Sequence, residues 1–155
     1  MNIKNSKAAL LLFWIELFRR HNDYGHGIKE LKYNYSLEHI MPIKWQEHWS
    51  NIEITYEDSS LVADPIKATE IRDSLISSIG NMTLLTAKLN TVVSNSCFDI
   101  KVNGSGRKKG IKPYSDLSIT KEVVYSPDGS ERLVWSDDSI RERNVVLFNE
   151  IISIW

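Results

Sequence analysis

The chain has little cysteine, almost no net charge and no long apolar run, and each shortage excludes a class of protein. Cys97 is the only cysteine among 155 residues, which excludes an internal disulfide framework and a multi-cysteine zinc site. A lone thiol fits a reducing cytoplasm, the compartment we expect. The net charge is -1, so any contact with a nucleic acid must come from a local basic patch.

The most apolar run, residues 8–15, follows two lysines, as the apolar region of a signal peptide does. Glu16 interrupts the run, Arg19 and Arg20 close it, and no small-residue cleavage site follows. The run is also far shorter than the roughly 20 residues that span a bilayer. We therefore predict a buried helix over residues 7–20 and no membrane partner, with a targeting segment as the less favoured alternative.

Short segments of extended and helical character predict an α+β fold, organised as one domain over residues 1–155. Residues 33–40 are extended in character, and residues 82–85 form a second, apolar strand. Thr86 is suited to cap a helix that follows directly. A strand–strand–helix core over about residues 33–95 is therefore predicted inside a mainly helical domain.

The C-terminal part is predicted to be a basic loop, a hairpin and a helix. The loop covers residues 99–112, which are rich in glycine and lysine. Residues 126–129 are a strong turn signal, so a hairpin between residues 123–125 and 132–135 is expected. A capping serine then begins a last helix over about residues 136–154.

Four polar side chains supply what phosphodiester hydrolysis needs, a base for the attacking water and a positive charge near the phosphoryl group. Glu38 offers a hard oxygen ligand for Mg²⁺ or a similar ion. His39 offers a nitrogen that takes a proton near neutral pH. Asn81 could accept the other ring N–H of His39, and Asn90 could supply a second oxygen to the metal.

Each of these four residues also has an ordinary structural interpretation. A single histidine such as His39 is more often a satisfied core residue, and Glu38 could form a surface ion pair. Asn81 could hold a turn, and Asn90 could be a solvated helix residue. We favour the chemical interpretation because the four occur together at these spacings.

Several motifs follow one another from about residue 30 to the C-terminus: Leu37-Glu38-His39-Ile40-Met41-Pro42, Ile79-Gly80-Asn81-Met82-Thr83-Leu84-Leu85, Leu89-Asn90, Asn95, Phe98, Lys101, and Trp135-Ser136-Asp137-Asp138-Ser139-Ile140-Arg141-Glu142-Arg143. In this order they resemble the HNH (His-Me finger, ββα-metal) endonucleases. More narrowly, they are similar to the C-terminal nuclease domain of GmrSD-type restriction enzymes.

The resemblance implies a role for each matching residue. His39 would be the general base, Asn81 would orient it, and Glu38 and Asn90 would hold one Mg²⁺ or Mn²⁺ ion. The implied activity is nicking or cutting of DNA in a phage-defence restriction system. GmrSD-like proteins usually also carry an N-terminal sensor domain that depends on a nucleotide, so we expect such a domain or subunit as a partner.

A group of basic residues between 101 and 112 is the candidate for phosphate contacts. Solvated loop charge is an equally good interpretation of the same residues. The group contains no acidic residue, and its members are Lys101, Arg107, Lys108, Lys109 and Lys112.

Three functions remain open at this point. The first is a metal-dependent DNA endonuclease that contacts mainly the phosphate backbone. The second is a non-catalytic DNA-binding or partner-docking module on an HNH scaffold, and the third, weaker, is a nuclease directed at RNA.

Overall fold

The computed structural model describes residues 4–23, 31–114 and 116–155. Within these ranges the fold is α+β, as predicted, with helices around small antiparallel sheets. The helices are α1 (Asn5–Asn22), α2 (Pro65–Ile76), α3 (Ala87–Val93), α4 (Phe98–Asn103), α5 (Ser118–Val124) and α6 (Asp137–Ile154). The strands are β1 (Tyr35–His39), β2 (Met82–Thr86), β3 (Gly104–Ser105) and β4 (Lys108–Lys109).

The first sheet is the antiparallel pair β1–β2, which brings together segments that lie more than forty positions apart in the chain. Its register places Leu37 opposite Leu84 and His39 opposite Met82. Helix α3 begins directly after β2, where the side chain of Thr86 accepts a hydrogen bond from the backbone N–H of Leu89. This is the expected cap, because a threonine oxygen satisfies one of the free donors of the first turn.

Two apolar clusters lie against this sheet. One joins α1 to Met82 and Leu84 of β2, and its helix residues include Leu12 and Ile15, both fully buried. The other contains Leu85 together with α3, Trp135 and the two tryptophans that follow β1. Alternate β2 residues thus enter different clusters, since successive side chains of a strand point to opposite faces. Strand β2 is therefore buried on both faces, whereas most residues of β1 are half-buried.

Helix α6 packs against the turn that precedes β2. Ser136 caps the helix, as the sequence predicted, and the structure adds a capping box with Ser139. Glycine is required at position 80, because a Cβ there would lie 2.3 Å from the carbonyl oxygen of Ile140. This close approach fixes α6 beside the start of β2.

Two local predictions are wrong. The expected hairpin around residues 126–129 is reduced to one bridge between Tyr125 and Glu131, because residues 118–124 form helix α5 instead of a strand. The expected loop 99–112 begins as helix α4 and continues as the short β3–β4 hairpin. In both cases tertiary packing of apolar residues overrides the local turn chemistry.

Candidate functional site

The end of β1 and the helix α3 border a cavity of about 580 Å³. Three of the four predicted site residues, Glu38, His39 and Asn90, line it. Lys101 lines it too, although the sequence placed that residue in a solvent-exposed loop. The structure therefore brings the predicted base and both predicted ligands to one place and adds a cation.

Glu38 forms a buried ion pair with Lys101. The ammonium group of Lys101 donates to Oε1 of Glu38, and it also donates to the backbone carbonyl oxygen of His39 over 2.9 Å. Lys101 is fully buried and Glu38 is only 8% exposed. Burial raises the pKa of Glu38 and lowers the pKa of Lys101, and in each case the charge of the partner opposes the shift. We interpret the pair as ionised, because direct contact and the second hydrogen bond of Lys101 offset part of the desolvation, which remains the larger effect on each pKa.

The imidazole of His39 is half-buried and forms no hydrogen bond with any residue in the described part of the chain. Burial lowers its pKa, and the positive charge of Lys101 lowers it further. Both effects favour the neutral ring, because a charged imidazolium would be poorly hydrated and would lie near another cation. A neutral imidazole at the wall of an open cavity can accept a proton from water, as a general base does.

Asn90 is held by its amide nitrogen. Nδ2 donates to the carbonyl oxygen of Leu37 over 2.8 Å and to Oγ of Ser36 over 3.0 Å. These bonds tie α3 to β1 and use both donors of the carboxamide. The Oδ1 atom accepts no hydrogen bond from the residues that the structure describes, so it remains available as an oxygen ligand.

The sequence predicted a hydrogen bond between Asn81 and the ring of His39, and this prediction is wrong. Its Oδ1 accepts from the N–H of Met41 and from Nε1 of Trp135, over 2.9 and 3.1 Å, and its Nδ2 donates to the carbonyl oxygens of Met41 and Ile76. The physical reason is the register, which pairs His39 with Met82 and places Asn81 in a tight turn before β2. Asn81 therefore fixes the backbone just beyond His39 and does not touch its ring.

The prediction that Lys101 contacts a DNA phosphate is also wrong, because its ammonium group is fully buried and cannot reach a phosphate on the surface. A signal for burial was present in the sequence. Phe98, Lys101 and Val102 share one face of α4, and all three are buried. The lysine stands at a core position of an amphipathic helix, and it requires an internal anion such as Glu38.

The remaining basic residues are divided between two environments. Arg107, Lys108 and Lys109 are exposed on and beside the β3–β4 hairpin, and they border a second cavity of about 450 Å³ together with residues of α3. Lys112 is ion-paired with Glu131. The hairpin thus presents three cations beside the helix that carries Asn90.

The described residues include no group of three or more His, Cys, Asp or Glu side chains that could hold a metal ion. A metal held here would depend on few protein ligands, which is usual for Mg²⁺ because it keeps several waters. None of the described helices is long and apolar enough to cross a membrane.

The family model of the C-terminal domain of GmrSD restriction endonucleases matches residues 1–150. The match covers nearly the whole chain, so the protein belongs to this family, and the resemblance to GmrSD-type enzymes is confirmed. No curated protein and no solved structure matches the chain significantly. Membership in a family of restriction endonucleases indicates a nuclease, and it implies DNA as the substrate.

Proposed function

We propose that the chain is a metal-dependent DNA endonuclease domain of the HNH type, acting in a phage-defence restriction system. The observation that carries the proposal is the cavity that His39, Glu38 and Asn90 line together. A cytoplasmic location and an N-terminal sensor domain or subunit belong to the same proposal. The location is expected because restriction acts on DNA inside the cell, and the sensor domain is expected because GmrSD-type enzymes usually carry one.

The ββα-metal core of the HNH fold is proposed to consist of β1, β2 and α3. The two strands pair in antiparallel fashion, and the helix that follows packs against both. The first strand ends at His39, and the helix carries Asn90. This arrangement supports the HNH assignment because base and ligand come from different elements held by one small sheet.

The donor atoms in the cavity fit one hard divalent ion, either Mg²⁺ or Mn²⁺. Oε2 of Glu38 and Oδ1 of Asn90 accept no hydrogen bond from described residues, and hard cations prefer such oxygens. Lys101 occupies only the other oxygen of Glu38. When bound, the ion would supply positive charge to the phosphoryl group and the leaving oxygen.

The residues of the chain divide the work of hydrolysis between them. His39 accepts the proton of the attacking water, and Lys101 keeps the Glu38 carboxylate charged and in place. Asn81 acts as a positioning residue by holding the backbone of Met41, two residues after His39. The DNA backbone is bound by the cations of the β3–β4 hairpin.

Nicking of supercoiled plasmid tests the proposed function. We expect conversion to open circles with Mg²⁺ or Mn²⁺, and no conversion when a chelator is present, because the phosphoryl charge is then uncompensated. Including a single-stranded RNA in the same reaction separates a DNA nuclease from one directed at RNA. Failure to cleave with every divalent ion would refute the catalytic proposal.

The alternative is a non-catalytic DNA-binding or docking module on the same scaffold. The ion pair between Glu38 and Lys101 favours it, because an ammonium already neutralises the carboxylate that a metal would need. This alternative requires salt-sensitive DNA binding that a chelator does not change. The plasmid assay and a binding assay with chelator therefore distinguish the two functions.

The exposed cations predict how binding depends on salt. Replacing Arg107, Lys108 and Lys109 by glutamine should reduce the slope of log affinity against log salt by about 2–3, since each lost phosphate contact contributes roughly 0.9. The measurement is a fluorescence anisotropy titration of a duplex at several salt concentrations. The matched control replaces Lys4, Lys7 and Lys67, which are exposed elsewhere on the molecule, and should leave the slope unchanged. Equal slopes for the hairpin variant and the wild type would remove the hairpin from the DNA interface.

A further inference from the structure

Helix α6 carries a second apolar face that the fold does not use. Its inner face contains Ile140 and Leu147, which are fully buried. Its outer face carries Val145, Phe148, Ile152 and Trp155, which are 62%, 58%, 60% and 71% exposed. These four follow one another at intervals of three, four and three residues, which places them in one stripe along the helix.

The stripe continues onto α1. Leu10 and Trp14 of this helix are 48% and 46% exposed and stand one turn apart. The rings of Trp14 and Trp155 lie 6.1 Å apart between centroids, so the two helices share one continuous surface. An ion pair between Arg19 and Glu150, with a distance of 2.7 Å, also fastens α1 to α6. The six side chains are called the α1–α6 apolar face: Leu10, Trp14, Val145, Phe148, Ile152 and Trp155.

The exposed area of this face is large for a monomer. With a mean area of about 200 Å² for a fully exposed residue of these types, the six exposures correspond to roughly 700 Å². The largest apolar patch of a typical monomer is roughly 300–600 Å². A stable interface of standard size buries about 800 Å² on each partner. The α1–α6 apolar face thus has most of the area that one side of a dimer needs.

We propose that this face binds the same face of a second copy of the chain. A two-fold interface places one patch against itself, so the patch must be complementary to its own copy. None of the six residues is charged, so no like charges are opposed when two such faces meet. The three-four spacing of the α6 stripe is also the spacing with which helices interlock side by side. The resulting interface is a four-helix arrangement of two α1 and two α6 helices.

Dimerisation would change the product of the reaction, and this consequence rests on the proposed function. One chain contains one His39 and cuts one strand, whereas a dimer carries two cavities. The dimer is therefore expected to release linear plasmid as well as nicked circles. None of the six residues lines the cavity that contains His39, so the assembly state can be measured independently of catalysis.

The oligomeric state is tested by sedimentation velocity of the 155-residue chain over a range of concentrations. We expect a species of twice the 17.9 kDa mass of one chain. Phe148→Glu should weaken dimerisation by about 100-fold, since it places two carboxylates in the centre of an apolar interface. Val145→Lys is a second variant with the same expected direction, in case the first does not fold.

Leu133→Glu is the matched control. Leu133 is 86% exposed and lies outside the α1–α6 apolar face, so this variant should dimerise like the wild type. Circular dichroism and thermal unfolding must show that all variants are folded. A wild-type chain that stays monomeric up to about 100 μM would overturn the proposal, because the face would then need another partner. A Phe148→Glu or Val145→Lys chain that dimerises as tightly as the wild type would overturn it as well.

Discussion

Replacing His39 by alanine is expected to lower the rate of plasmid nicking by about 10²–10⁴-fold, the usual contribution of a general base. The reason is the neutral state of the imidazole, which burial and the nearby Lys101 charge both favour. Alanine leaves the attacking water without a proton acceptor. Initial rates with Mg²⁺, measured from the loss of supercoiled plasmid, give the comparison.

The pH profile supplies a second readout for the same residue. Since the pKa of His39 is lowered from its ordinary value near 6.5, the base remains unprotonated as the pH falls through 6.5. The wild-type rate should therefore stay high at pH 6.5 and decline only at lower pH. A base with an unperturbed pKa would already be half protonated there.

His48→Ala is the control for His39→Ala. His48 is exposed and does not line the cavity, so its removal should leave the rate within about twofold of the wild type, a change of less than 0.5 kcal/mol. Circular dichroism of both variants verifies that the fold is intact. Nicking by His39→Ala at the wild-type rate would eliminate His39 as the base.

The sequence predicted the fold best where one local rule and one packing rule agree. The apolar segment 82–85 and the capping residue Thr86 both indicate a strand followed directly by a helix, and β2 and α3 are found there. The serine cap of α6 is another such case. The hairpin at 126–129 failed because a turn signal says nothing about its flanks, and Ile119 and Val123 are buried more effectively by a helix.

The sequence predicted which residues form the candidate site better than it predicted the hydrogen bonds they make. The order of Glu38, His39 and Asn90 along the chain indicated a shared site, and all three line one cavity. The partners of Asn81 were not predictable, because a carboxamide can bind any nearby backbone group and the register decides which one is near. The spacing of Phe98, Lys101 and Val102 on α4 indicated that Lys101 is buried, but no local pattern encodes its pairing with Glu38 of β1.

Replacing Lys101 by methionine is expected to lower the free energy of unfolding by about 3–5 kcal/mol, the usual result of removing one partner of a buried ion pair. Glu38 would then be buried without its cation, and the carbonyl oxygen of His39 would lose a donor. The loss is large against a typical total stability of about 5–15 kcal/mol. Urea unfolding followed by tryptophan fluorescence measures it.

Two further variants separate the buried charge from the shape of the side chain. Adding Glu38→Leu to Lys101→Met removes both charges, so the double variant should regain most of the lost stability, since a buried pair replaced by apolar groups costs little. Lys109→Met removes an exposed lysine and should change the stability by less than about 0.5 kcal/mol. A Lys101→Met chain as stable as the wild type would show that Glu38 is solvated or protonated rather than ion-paired. The cavity would then lack the fixed cation that we assign to it, and the carboxylate would be held in place by something other than Lys101.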